Sequence, residues 1–441
     1  MVPALERNDA DSGIMPPAWR QVRWWVLALL LLATIINFVD RQSLSVVAPI
    51  LRETFHLSNT QYGTMVALFQ FGLMTGEFPM GWLMDRKGVR FGLSLAVSWW
   101  SLAETLHTFA RTFGEFCALR FCLGSGECGN FSGGVKVVAQ WFPVRERALA
   151  VGVFNGGSML GSVIAPPLLV LVTLKFGWHA AFLLPGAMGF AWVLAWRAAY
   201  RAPELHPRLT AAERTYIQSD REPDPGPQPS NHQLLALKAT WALMLCRAIA
   251  GPVVAFYIFW LPEYLYRVRG LSLASIGMFA WMPFLFGALG SVGGGWWSER
   301  LLRRGISVTR ARQITMGAGA ACCLCSLAVS GAGHWAVAMA WICVVLMGHT
   351  CFAANMFAVI SDLYAESAVG RVTALTGVAN GLTAALFPLL TGYLVDRISY
   401  VPVFLMASIM PLVACGVLWV MVPRLHKVKW GVINSVCEES R

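Results

Sequence analysis

A chain of 441 residues that is 57% hydrophobic and only 13% charged lies far from the roughly 25% charged residues of an ordinary soluble domain, and its mean hydropathy of +0.58 excludes a water-soluble globule. The net charge of +11 requires no nucleic-acid partner, because basic loops facing anionic lipid headgroups account for it. The eleven cysteines fall mostly inside apolar stretches, where they behave as small packing residues.

In chain order, residues 1–22 read as a tail, and the first apolar run is Trp24 to Val39. That run is too long for a secretory h-region and is followed by charged residues instead of a small-residue cleavage site, so it is expected to stay as the first span. It closes on Asp40 and Arg41. Similar runs of about 20 apolar residues recur to the far end, among them Phe176 to Trp196, Gly317 to Val329 continuing past Trp335, and Val401 to Val422, and about twelve spans are expected. Between them the composition turns polar and proline-rich from Arg221 to Pro229. The division that follows is a six-helix bundle over 23–199, a linker over 200–233 with a short amphipathic helix around Leu209 to Ile217, a second bundle over 234–423 and a tail over 424–441.

With both ends on one side, that side collects 24 of the 34 Lys and Arg residues, the opposite side keeps 6, and 4 lie within or at the ends of spans. Basic residues mark cytoplasmic loops, so both termini are expected in the cytoplasm and the protein in the cell inner membrane. The halves echo each other: Gly152-Val153-Phe154-Asn155-Gly156 recurs 225 residues later as Gly377-Val378-Ala379-Asn380-Gly381. A parallel repeat of two six-span halves is a transporter signature. The fold class expected is all-α integral membrane, twelve transmembrane helices in two pseudo-symmetric bundles around a central cavity.

Four charges interrupt otherwise apolar stretches: Asp40 and Arg41 in the first span, Arg120 and Glu127 in the fourth. An ionised group near the bilayer centre costs roughly 2.5–3.5 kcal/mol on insertion scales, so it persists where it pairs, lines water or handles protons. Arg120 and Glu127 are seven apart and share a helical face, about 10 Å apart along the axis. Counting from span ends puts Glu127 near the midplane, with Asp40, Arg41 and Arg120 toward the outer side. An Arg fork matches a carboxylate; Asp40 can hold Arg120 while the site is empty and release it once protonated, and Glu127 can load a proton from outside. Static ion pairs are the competing reading for these residues. Arg247 in the seventh span is a candidate second anion contact. Gln70, Asn155, Asn355 and Asn380 are candidates for binding hydroxyls, and His349 for substrate or proton contact, although polar residues also hold helices together. Glu77 fits either the site or a gate.

Two motifs are weaker than they look. Cys322 and Cys325 form a C-x-x-C pair with no partnering His or second Cys pair, which favours packing over metal or redox chemistry. Gly124-Ser125-Gly126-Glu127-Cys128-Gly129 satisfies a dinucleotide fingerprint, yet it neither follows a strand nor opens a soluble helix, so it reads as close helix packing. Gly152, Gly156, Gly157 and Gly161 give small-residue spacings of the same kind.

Gly81-Trp82-Leu83-Met84-Asp85-Arg86-Lys87-Gly88-Val89-Arg90 resembles the G-x-L-x-D-R-x-G-x-R loop of the major facilitator superfamily, with a degraded copy at Gly295 to Arg300 followed by Arg303-Arg304-Gly305. Glycines here are expected to let helices two and eleven approach closely, and Asp85 to cap a helix N-terminus, so that Gly81, Asp85, Arg86, Gly88 and Arg90 form a cytoplasmic gate. Trp141-Phe142-Pro143 with Arg145-Glu146-Arg147, Ala165-Pro166-Pro167, His206-Pro207 with Leu209-Thr210, Glu213-Arg214 with Tyr216-Ile217, and Met278 to Pro283 together resemble the anion:cation symporter family, in particular its hexuronate and galactonate carriers. The resemblance runs from about Trp24 to about Arg424. It implies that Arg41 and Arg120 engage a substrate carboxylate and that Asp40 and Glu127 take part in proton coupling. An acid at the position of Asp40 is the galactonate-carrier pattern and is often missing from hexuronate carriers.

Three function classes follow. Proton-coupled uptake of a small organic anion leads, with a sugar acid such as galacturonate, glucuronate or galactonate as cargo and phthalate-like or tartrate-like acids open. It needs no cofactor beyond the coupling proton, no metal, and no partner beyond lipid, and the chain is expected to act as a monomer. A receptor on the same fold would need an output domain that the linker and the tail after Pro423 are too small to supply. A membrane-embedded enzyme would need a motif such as H-E-x-x-H or G-x-S-x-G, which the sequence lacks.

Overall fold

The computed structural model describes residues 21–219 and 230–428. The ends of both tails and the proline-rich centre of the linker, with Arg7, Arg20, Arg221, Lys429 and Arg441, lie outside the described residues. Those described are entirely helical or irregular. In order they form α1 (Val22–Thr54), α2 (Asn59–Lys87), α3 (Val89–Leu106), α4 (Phe113–Glu127), α5 (Gly129–Trp141), α6 (Val144–Phe176), α7 (Ala180–Ala199), α8 (Ala211–Gln218), α9 (Asn231–Leu235), α10 (Lys238–Arg267), α11 (Leu273–Phe279), α12 (Met282–Arg303), α13 (Val308–Cys322), α14 (Ser326–Gly331), α15 (Trp335–Leu363), α16 (Glu366–Arg397) and α17 (Val401–Met421).

Among the described residues nine stretches are long and apolar enough to cross a membrane, counting α11 with α12 and α13 with α14 as one each. The long stretches outside this set are α2, α3, and α4 with α5. They hold Glu77, Asp85, Glu104, Arg120, Glu127 and Lys136, and α4 and α5, at 15 and 13 residues, are each too short to cross alone. Sequence punctuation sets the ends. Gly88 (φ 79°) and Gly177 (φ 82°) stand in the left-handed region where a Cβ is strained, and they close α2 and α6. Thr112 with Glu115 and Ser230 with Gln233 form capping boxes that open α4 and α9. Several prolines lie inside helices, including Pro166 and Pro167 of α6, which transmembrane helices tolerate when neighbouring groups satisfy the freed carbonyls.

The chain forms two compact units, Met1–Leu44 with Phe71–Asp224 and Ser45–Gln70 with Pro225–Arg441. The far ends of α1 and α2 therefore belong to the second unit, a division no reading of linear halves predicts.

In the first unit, helices approach where glycine removes a side chain. A Cβ on Gly126 would come within 2.7 Å of Trp99, and one on Gly129 within 2.8 Å of Ala96, so the fingerprint-like run is close packing. Gly157 and Gly161 seat α6 on Leu31, Thr34, Ile35 and Phe38 of α1, whereas Gly152 and Gly156 face open space, so only half of that glycine series is a packing seam. The linker helix, expected around 209–217, is α8. Its Glu213 accepts hydrogen bonds from the Val22 and Arg23 backbone N–H groups at 3.2 and 3.1 Å, capping α1. Arg23 lies over Tyr216 at 4.4 Å and pairs with Glu146 at 2.9 Å.

In the second unit, Leu243, Cys246, Met316, Phe352, Val359 and Leu418 meet in one apolar core. The tip of the α1–α2 hairpin is anchored there by charge. Asp396 of α16 accepts from the Asn59 and Thr60 backbone N–H groups at 2.9 and 2.7 Å, capping α2, and Arg52 pairs with the buried Glu263 of α10. Gly63 packs on the Pro388 carbonyl and Gly392 on that of Asn59. α2 and α16 thus meet through glycine at Gly63 and Gly392, and Asp396 is the aspartate that caps a helix there. Gly81 meets nothing within 4 Å, and Asp85 instead pairs with Lys136 of α5 at 2.6 Å. Arg90 donates to the Arg197 carbonyl at 2.6 Å, and Arg86 lies over Trp82 at 4.5 Å.

Candidate functional site

The capping box at Thr112 fixes the start of α4, and Arg120 and Glu127 then fall two turns apart on one face, with the helix ending at Glu127. Both are buried, Arg120 at 1% exposure and Glu127 at 0%. Opposite them α1 presents Asn37, Asp40, Arg41 and Ser43, and α3 presents Glu104, with His107 in the 3-10 turn (His107–Phe109) that follows.

Glu127 pairs with Arg41, which donates to its Oε2 through Nε at 3.2 Å and Nη2 at 2.9 Å and also donates to Asn37 Oδ1 at 3.2 Å. Phe38 lies under the Arg41 guanidinium at 4.5 Å. Glu127, two turns from Arg120 on its own helix, thus takes its cation from α1. Asp40 lies beside Trp100, within electrostatic reach of Glu104, Glu127 and Arg120. Glu104 likewise lies within electrostatic reach of Arg120 and Glu127. Both Asp40 and Glu104 thus lie within electrostatic reach of Arg120. Ser43 lies against Glu104 while its hydroxyl donates to the Asp40 carbonyl at 2.7 Å.

Two arginines and three carboxyl groups thus share one enclosed region of the first unit. Arg41 is the most accessible of the five, its side chain 14% exposed. Burying a charge is costly unless it is paired or neutralised, so every carboxyl here has two states of similar standing: bound to a guanidinium, or carrying a proton. Such a cluster can exchange an internal carboxylate for an external one.

The remaining candidates sit elsewhere. Asn155 is exposed on α6 of the first unit. Glu77 is exposed on α2, near Cys128. In the second unit, Arg247 donates to Thr376 Oγ1 at 3.0 Å and the Thr373 carbonyl at 3.2 Å, over Phe357 at 4.8 Å. His349 is buried with Nε2 at 2.9 Å from the Ala250 carbonyl, the arrangement of an interior histidine. Asn380 is half-buried against Gly251, and its Oδ1 has no hydrogen bond among the described residues. Gln70 is half-buried at the edge of the hairpin tip. Asn355 is drawn into a network with Arg312, Ser298 and Asp362, so it is structural glue. Cys322, Cys323 and Cys325 are free thiols, and no metal-holding group of His, Cys, Asp or Glu occurs among the described residues.

Sequence reasoning missed Glu104 and His107. The signal was present, since Glu104 is the only acid in the apolar α3, but it lies two residues before the helix end and reads there as the beginning of a loop.

Comparison with known proteins adds to this geometry. The model of the Major Facilitator Superfamily matches residues 30–349 and 309–434. The "Hexuronate transporter" of Escherichia coli (strain K12) is 29% identical over 403 residues, 90% of this chain and 93% of that protein. The "Probable L-galactonate transporter" of the same strain is 31% identical over 386 residues, 86% of this chain and 84% of that protein. The "Galacturonate transporter" of Dickeya chrysanthemi is 31% identical over 304 residues, 67% of this chain and 88% of that protein. Among solved structures, a D-xylose-proton symporter superposes with a TM-score of 0.75 at 13% identity, over 92% of this chain and 99% of that chain, a likeness of fold.

Proposed function

This chain belongs to the Major Facilitator Superfamily, a family of membrane transporters, and on that footing we propose that it is a proton-coupled symporter taking up a sugar-acid anion by alternating access. The observation that carries the reading is the arginine–carboxyl cluster of the first unit; the relatives named for hexuronate, galactonate and galacturonate supply the cargo class.

The steps follow from charge. An incoming carboxylate meets Arg41, the most accessible cation, and competes with Glu127 for its Nε and Nη2. A guanidinium binds an external carboxylate through the same fork. Glu127, once released, is a buried carboxyl without a cation and takes a proton, so anion and proton enter the cluster together. Arg120 draws the cargo inward as the second arm of the fork, with Asp40 accepting the next proton. On release the Arg41–Glu127 pair re-forms and expels the proton. A monoanion with one proton moves no net charge; a second proton would add about 2.3 kcal/mol of drive per 100 mV. In this scheme the protein works as a monomer of the inner membrane with both termini in the cytoplasm, an orientation that the excess of basic residues on that side supports.

The test is uptake by proteoliposomes with an inward pH gradient. Galacturonate, glucuronate or galactonate should accumulate, and neutral sugars should not. Equal transport of neutral sugars would refute anion selectivity, and accumulation without a proton or voltage gradient would refute coupling. A thermal-shift panel of organic acids, including phthalate and tartrate, identifies the cargo, because a ligand that binds only the native state raises apparent stability.

A further inference from the structure

Glu104 has no place in the exchange just described, yet it is fully buried, and neither of its carboxylate oxygens has a hydrogen-bond partner among the described residues. The two oxygens of Asp40 are in the same position. The charged and titratable groups facing this pair are Arg120 and Glu127 on α4 and His107 in the turn after α3, and Arg41 on α1 reaches Glu127. From α7, Gly186 and Gly189 pack on Thr105 and Ser101, and Phe182 stacks on His107 at 5.1 Å; the titratable side chain of α7 is Arg197, at the far end of that helix. On α5 the titratable side chain is Lys136, committed to Asp85 at 2.6 Å.

The charge count does not close. Arg41 is committed to Glu127 at 2.9 Å, which leaves one guanidinium, Arg120, for two carboxyls. His107 does not supply the missing positive charge. Its Nδ1 lies 2.7 Å from the Ala103 carbonyl and so carries a hydrogen, while its Nε2 has no hydrogen-bond partner among the described residues, so a doubly protonated ring would bury an N–H with nothing to accept it. Two like charges sharing a buried site cannot both ionise at low cost.

We propose that Asp40 and Glu104 share a resident proton beside Arg120, and that Glu104 thereby sets how alkaline a medium the anion site tolerates. This deepens the symporter reading above and rests on it for the identity of the anion alone. With the proton in place the five groups sum to zero and an anion can enter, drawing in one further proton from outside water. Once the resident proton is lost the cluster is singly negative and repels the cargo, so binding weakens as pH rises. Glutamine at position 104 leaves Arg120 with Asp40 alone, a balanced pair that needs no resident proton.

Two measurements on the full-length purified protein test this. The first needs no ligand: infrared absorption of protonated carboxyl groups in the wild type, Glu104→Gln and Glu104→Asp. A buried-carboxyl band is expected in the wild type, lost on alkalinisation, absent from Glu104→Gln and present in Glu104→Asp. The second is calorimetric binding of galacturonate, galactonate and glucuronate across pH. Both proteins should lose affinity as pH rises, because the anion enters with one proton, but the wild type should lose about tenfold or more beyond that on the alkaline side, the effect of one strongly coupled charge, while Glu104→Gln shows the loss due to the entering proton alone. An unchanged band and an unchanged pH profile in Glu104→Gln would overturn the proposal. Failure of this shape-conserving variant to fold would also overturn it, making Glu104 a structural counter-ion of Arg120. If the wild type shows the titrating band but binds none of the three acids, the sugar-acid reading falls while the resident proton stands.

Discussion

The fourth and tenth spans occupy corresponding places in the sequence repeat, and at an offset of 225 residues Arg120 and Glu127 of α4 fall on Val345 and Phe352 of α15, both buried. Asn130 falls on Asn355 by the same offset, and both are buried asparagines that tie helices together: Asn130 donates to Thr34 Oγ1 at 3.0 Å, Asn355 to the Gly294 carbonyl at 3.3 Å. Lys136 falls one residue short of Asp362, and there the ion pair is kept with its signs reversed, Lys136 with Asp85 at 2.6 Å and Arg312 with Asp362 at 2.8 Å. The polar contacts that position helices have thus survived in both units, while the cluster of two arginines and three carboxyls stands in the first, against the buried pair Arg52–Glu263 in the second. What differs between repeats marks function better than what they share.

The largest test of this contrast is a pair of truncations at matched positions. Arg120→Ala strips the cation from a buried group of acids, which costs roughly 3–5 kcal/mol, and it should reduce uptake to the level of empty liposomes. Phe352→Ala empties part of the second unit's apolar core and should cost a similar 3–5 kcal/mol, yet the folded fraction should still take up anion, read as uptake per folded molecule against thermal unfolding. Equal loss of uptake in both would end the functional distinction between the units. Glu127→Gln comes next: exchange of labelled for unlabelled anion should persist while gradient-driven accumulation is lost, and retained accumulation would remove Glu127 from coupling. Asp396→Ala removes the charged cap of α2 and should lower stability by about 1 kcal/mol with little change in affinity. Lys136→Ala breaks a pair that is partly exposed, and its effect should stay within about 1 kcal/mol.

Much of the first unit's chemistry was legible because a charge in an apolar stretch is conspicuous. Asp40, Arg41, Arg120 and Glu127 were found that way, and they do converge. Their pairing was not legible. Seven-residue spacing places Arg120 and Glu127 on one face but does not bring them together, and it was Arg41, from a helix 86 residues away in sequence, that reached Glu127. Glu104 escaped because proximity to a helix end hides a buried acid among residues that ordinarily meet water. Gly63, Gly392 and Asp396 escaped as well: they supply glycine contacts and an aspartate cap at the other end of α2 from the gate motif, where no motif draws attention to them.

By itself the sequence determined that this chain is helical, spans a membrane many times, repeats once and buries opposed charges, because apolar run length, glycine and proline punctuation and the cost of ions in hydrocarbon are local properties. Only the tertiary structure decided that Glu127 meets Arg41, that the tip of the α1–α2 hairpin belongs with the second unit, and that Glu104 joins the buried acids. Ion pairing is a contest among all groups within a few ångströms, and that list is drawn up by helix packing, not by the order of residues along the chain.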